Sequence, residues 1–89
     1  MKGVPTTMSS IDERMDPIVL RYVRRRVPDA EVADFDKAIW DLDLDSLDIA
    51  ELVDALEIEF GVKSDLAQID ECNSPADIKV YFRGLIGAS

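Results

Sequence analysis

The residues of this chain best placed to do chemistry are Asp45-Ser46-Leu47-Asp48. A serine hydroxyl between carboxylates invites comparison with a nucleophile and its base. The chain has no histidine, which excludes a Ser-His-Asp arrangement, and no lysine lies near Ser46 in sequence to act as base. Self-contained catalysis is therefore not expected. Asp45 is a good N-cap and Asp48 falls near the third helical position, so Ser46 is displayed at a helix start. A helix start also offers free N–H groups and a positive dipole end to a phosphate.

The same carboxylates suggest a calcium loop, because Asp41, Asp43 and Asp45 reproduce positions 1, 3 and 5 of an EF-hand. The rest of that pattern fails. Position 6, which should be glycine, is Ser46; position 8, normally apolar, is Asp48; position 12, the bidentate glutamate, is Leu52. No metal site is expected beyond weak divalent-ion binding that would relieve repulsion among the acids.

The element that must position Ser46 is the helix that follows it. From Ile49, residues Leu52, Val53, Leu56 and Phe60 recur at helical spacing and gather one core-facing stripe, and Gly61 ends the run. The other side is acidic. No basic residue lies between Lys37 and Lys63, whereas Asp41, Asp43, Asp45, Asp48, Glu51, Asp54, Glu57 and Glu59 all carry charge. Like charges at three-residue steps destabilise a helix by about 0.2 to 0.5 kcal/mol per pair, and the dipole disfavours anions at its C-terminal end. Stability alone would not select this pattern. A solvated helix face would ordinarily mix in Lys or Arg, so the acids are read as a docking face for basic protein surfaces.

Asp45-Ser46-Leu47-Asp48 opening a helix that continues Glu51-Leu52-Val53 and ends Phe60-Gly61 resembles the acyl carrier protein family. The resemblance implies that Ser46 carries a covalent 4'-phosphopantetheine arm whose thiol holds an acyl group as a thioester, with Asp45 and Leu47 framing the attachment. It implies as partners a phosphopantetheinyl transferase, which uses coenzyme A, and acyl-transferring or acyl-synthesising enzymes with basic docking patches. Asp48, Glu51, Asp54 and Glu57 are the expected partner-binding acids. Leu47, Ala50 and Ile58, which a helical wheel places among them, are the expected apolar contacts. Many members have Leu-Gly-x-Asp-Ser-Leu where this chain has Leu42-Asp43-Leu44-Asp45-Ser46-Leu47. A positive φ at Asp43 would be tolerated by Asp better than by most residues, though less well than by Gly. Peptidyl carriers more often have histidine before the serine, so Asp45 leans toward acyl cargo. The second reading is an unmodified acidic helical adaptor, which accounts for the charge and leaves Ser46 without a role.

The remaining elements read as helical. Few β-branched runs and no alternating stretches occur, which favours an all-α fold. Residues 1–9 read as a mobile tail and 10–87 as one domain. Met15, Ile18, Val19, Tyr22 and Val23 form an inward stripe that places a first helix over residues 17–26; a start at Ser10 would put Pro17 inside it and require a kink. Arg24, Arg25 and Arg26 then suit that helix's negative end. The connection over residues 27–45 is long for a bundle. A turn of helix over residues 30–37 would point Val32 and Phe35 inward, and Ile39, Trp40, Leu42 and Leu44 would fasten the rest. Residues 64–71 hold a short helix anchored by Leu66 and Ile69. Ser74, Pro75 and Asp77 start a last helix, with Ile78, Tyr81, Phe82 and Leu85 inward and Gly87 as its stop. Three longer helices, one short helix and a long first loop are, by the same resemblance, the carrier family's four-helix bundle.

Composition limits the alternatives. Eighty-nine residues with 47% hydrophobic content support one small core. A net charge of -9 argues against binding nucleic acid, despite the arginine run. The lone Cys72 cannot form an internal disulfide and reads as a small buried hydrophobe in a reducing compartment. Neither a signal peptide nor a membrane span is evident. A cytoplasmic monomer is the expectation.

Overall fold

The computed structural model describes residues 7–88, with side chains from Ile11 to Gly87. Its elements are α1 (Thr7–Val23), a 3-10 turn (Val32–Asp36), a second 3-10 turn (Ile39–Leu42), α2 (Ser46–Phe60), α3 (Leu66–Asp70) and α4 (Pro75–Ala88). The fold is the expected all-α four-helix bundle with one short helix and a long first loop. Helix α1 packs on α2 and α4, α3 packs on α4, and the first 3-10 turn also packs on α4. Among the described residues no helix is long and apolar enough to cross a membrane.

Burial explains why α1 begins well before Pro17. Ile11, Met15, Val19 and Val23 recur at four-residue steps and are all buried, which adds two turns of core stripe to the expected helix. Pro17 in a helix interior costs about 3 kcal/mol where it removes a hydrogen bond inside the protein. Here Glu13 and Pro17 both lie on the exposed side, where water can serve the Glu13 carbonyl. Asp12 and Asp16 add a second fastening: Asp12 pairs with Arg83 at 3.0 Å and Asp16 pairs with Lys79, both on α4. Most of the expected N-terminal tail, residues 1–6, lies outside the described residues; Thr7–Ser9 open α1 instead.

The core is closed by Leu52, Val53 and Leu56 of α2, Ile69 of α3, and Ile78 and Phe82 of α4. The connection between α1 and α2 contributes Ala30, Phe35, Leu42 and Leu44. Three apolar residues expected inside are exposed. Trp40 is 67% exposed because Ile39 and Leu42, three apart in a 3-10 turn, share its inward face and turn Trp40 out. Val32 is 44% exposed at the open first position of its 3-10 turn, although it shares a face with buried Phe35 three residues on. Leu66 is 74% exposed because it opens a five-residue helix at the rim of a cleft, with Ile69 as that helix's anchor. Gly87 does not stop α4, which runs on to Ala88. At its start, the Asp77 N–H donates to Ser74 Oγ at 3.2 Å and the Asn73 N–H to Asp77 Oδ2 at 2.9 Å.

Candidate functional site

The start of α2 is built by local chain geometry. Asp43 ends the second 3-10 turn in the left-handed region (φ 59°, ψ 24°), the conformation anticipated for this position. Leu42 and Leu44 on either side of it are buried, so the turn is anchored in the core. Asp45 is then extended and caps the helix: its Oδ1 accepts from the Asp48 N–H at 2.9 Å, and Asp48 Oδ2 accepts from the Asp45 N–H at 3.1 Å. Ser46 and Leu47, between the two caps, are both exposed. No hydrogen-bond partner of the Ser46 hydroxyl is found among the described residues.

A third residue, not anticipated from the sequence, locks this box. Arg26 follows the end of α1; its Nε donates to Asp48 Oδ2 at 2.8 Å and its Nη2 to Asp45 Oδ2 at 3.2 Å. The guanidinium therefore straddles both caps and ties the end of α1 to the start of α2. Burial by itself would push the Asp48 carboxyl up. The Asp45 N–H and the Arg26 guanidinium outweigh it and hold that carboxyl below its ordinary value. Arg25 forms an ion pair with Glu51 and stacks over Tyr22, 4.6 Å from the ring centroid. Arg24 donates to the Ala30 carbonyl at 2.8 Å. Helix α1 stops at Val23, so the three arginines lie beyond it and serve the loop and α2 rather than only the dipole of α1.

These contacts divide the acidic face. Asp48 is buried and Glu51 is ion-paired, although both are among the expected partner-binding acids. Glu57 accepts from the Ser64 hydroxyl and from the Ser64 N–H at 2.7 Å, and these bonds hold its carboxyl below its ordinary value. Glu59 pairs with Arg14 at 3.0 Å. Asp54 is exposed and has no partner among the described residues. Ala50 is exposed on the same face, with Leu47 at 63% and Ile58 at 75%. No group of three or more potential ligand side chains that could hold a metal ion occurs among the described residues.

Beside Ser46 lies a cleft of about 490 Å³ between α2 and α3. Ile39, Leu44, Ile49, Val53, Leu66 and Ile69 give it apolar walls, Asp45 and Ser46 form one edge, and Glu57 and Ser64 contribute to its lining. Cys72 also lines it and is half-buried; desolvation raises its thiol pKa, as do the negative charges of Asp77 and Glu71. A thiol held neutral in this way is a wall atom rather than a nucleophile.

Residues 19–81 match the family model described as the phosphopantetheine attachment site, which covers more than half of the chain. The chain belongs to the acyl carrier protein family. A curated acyl carrier protein from Thermotoga maritima is 39% identical over 61 residues, which is 68% of this chain and 75% of that protein. No solved structure matches significantly. Members of this family are carriers rather than catalysts, in agreement with a serine that has no histidine anywhere in the chain to serve as its base. The matched span runs from the second half of α1 into α4 and includes the Asp45–Asp48 box and both walls of the cleft.

Proposed function

We propose that Ser46 is the attachment point of the 4'-phosphopantetheine arm and that the chain presents acyl groups on it to enzymes of fatty acid, lipid or polyketide synthesis. The observation that carries this reading is the setting of one hydroxyl. Ser46 is exposed, free of hydrogen-bond partners among the described residues, and located in the first turn of a helix whose caps are fixed from both sides. The residues fit the group. An accessible hydroxyl can be esterified without breaking a contact, and the first N–H groups of α2 and its positive dipole end favour a phosphodiester beside them. When attached, the arm supplies a thiol on which an acyl group rides as a thioester.

The chain's own residues then have defined tasks. Asp45, Asp48 and Arg26 hold the helix start in one orientation, so a partner meets Ser46 at a fixed angle. Leu47 stands next to the attachment point, available to a partner's apolar surface. The apolar cleft along α2 and α3 opens at Ser46 and gives an aliphatic chain a place out of water. On the expected docking face, exposed Asp54 with Leu47, Ala50 and Ile58 meets the transferase and the acyl-handling enzymes, while Asp48, Glu51 and Glu57 are engaged within the chain. Incubation with a phosphopantetheinyl transferase and coenzyme A tests this directly. The parent should gain the mass of one arm, and Ser46→Ala should gain none while remaining folded. Modification of the Ser46→Ala protein would overturn the assignment.

A further inference from the structure

The arginines after α1 change what the acidic helix offers. Asp45 and Asp48 share Arg26, Glu51 is paired with Arg25, and Glu57 is bonded to Ser64. Arg25 and Arg26 remain about half exposed, at 49% and 43% of the side chain, so they are surface charges as well as partners of the acids. Resting on the reading of Ser46 as the attachment point, we propose that Arg25 and Arg26 are specificity residues that mask the first half of the acidic face and make Asp54 the principal acid of α2 open to a partner cation. The surface presented to a partner is therefore two-signed. Leu47, Ala50 and Ile58 run along an apolar strip, Asp54 stands beside them, and two arginines lie at the Ser46 end. Charge complementarity defines the partner that fits: an enzyme surface with an apolar pocket, a single cation opposite Asp54, and a carboxylate rather than a cluster of cations opposite Arg25. A partner whose docking patch is uniformly basic must first displace Arg25 from Glu51. An exposed pair resists such displacement by a factor of about two to five.

The test measures kcat/KM for holo formation with a phosphopantetheinyl transferase of basic docking patch, at low and high ionic strength, on folded variants. Asp54→Asn should lower the rate at low ionic strength, and Glu51→Gln in the parent should change it by less than about two-fold. In an Arg25→Gln background Glu51 is unmasked, so adding Glu51→Gln there should cost about two- to five-fold. Arg25→Gln alone should raise the rate and steepen its salt dependence. Arg21→Gln removes the same charge from an exposed α1 residue that has no carboxylate partner among the described residues, and should do less. Equal losses from Glu51→Gln and Asp54→Asn in the parent, or equal effects of Arg25→Gln and Arg21→Gln, would overturn the masking while leaving the carrier reading intact. A parent that forms no holo protein would overturn the carrier reading and the masking with it.

Discussion

Truncating Asp48 to Ala should weaken the whole fold, because this carboxylate is a structural hub and not only a surface charge. Its Oδ2 accepts from the Asp45 N–H at 3.1 Å and from Arg26 Nε at 2.8 Å, and the side chain is 7% exposed. Loss of the capping interaction costs about 1 kcal/mol. Loss of the bond to Arg26 adds less than a fully buried pair would, since the guanidinium is 43% exposed and returns to water; about 1 kcal/mol is its upper range. The sum, about 2 kcal/mol, corresponds to a fall in Tm of about 8 to 16 °C for a domain of this size. Urea unfolding followed by circular dichroism should show a lower midpoint with an unchanged slope. The pH dependence provides a second check. Asp48 is held below its ordinary carboxylate value in the folded protein, so its contribution is complete above the unfolded value and disappears as pH falls through the folded one. The gap between parent and Asp48→Ala should therefore be full at neutral pH and close in acid below the ordinary carboxylate range. A stability change under about 0.5 kcal/mol at neutral pH would refute the claim that Arg26 and the caps act through this residue.

Three other perturbations probe Ser46, the acidic face and the Glu57–Ser64 contact. Ser46→Ala should change stability by less than about 1 kcal/mol, since Asp45 still caps the helix; thermal unfolding measures it. Asp54→Lys should leave stability within about 0.5 kcal/mol of the parent, whereas Glu51→Lys should cost up to about 1 kcal/mol, because it replaces the pair with Arg25 by a like-charge contact. Glu57→Ala should free the Ser64 N–H, which hydrogen exchange would report as faster exchange at that amide with α2 still protected, and the effect should vanish in acid where Glu57 is protonated in the parent.

What could be read from the sequence was local. The α2 caps, the stop at Gly61 with its φ of 65°, the positive φ of Asp43 and the start of α4 at Ser74-Pro75 each depend on a few consecutive residues. Ser46 could be picked out for the same reason. What escaped was tertiary. The early start of α1 is decided by burial of Ile11, which extends the stripe begun at Met15, and by ion pairs of Asp12 and Asp16 to α4, whose partners lie in no window around Pro17. Arg26 meets Asp48 across 22 positions and Arg25 meets Glu51 across 26, so the acids looked unopposed when only their own helix was considered. The electrostatic strain expected of α2 is correspondingly relieved by Arg14, Arg25 and Arg26. Trp40, Val32 and Leu66 were misplaced because 3-10 turns and a five-residue helix are too short for apolar periodicity to choose a face.

Peptide mass spectrometry of the protein isolated from its own source reads out whether Ser46 carries the arm. The peptide containing Ser46 should bear the mass of one 4'-phosphopantetheine, with fragment ions placing it on the Ser46 oxygen. An unmodified Ser46 in protein that a transferase and coenzyme A also fail to convert, or an arm located on any other residue, would contradict that assignment.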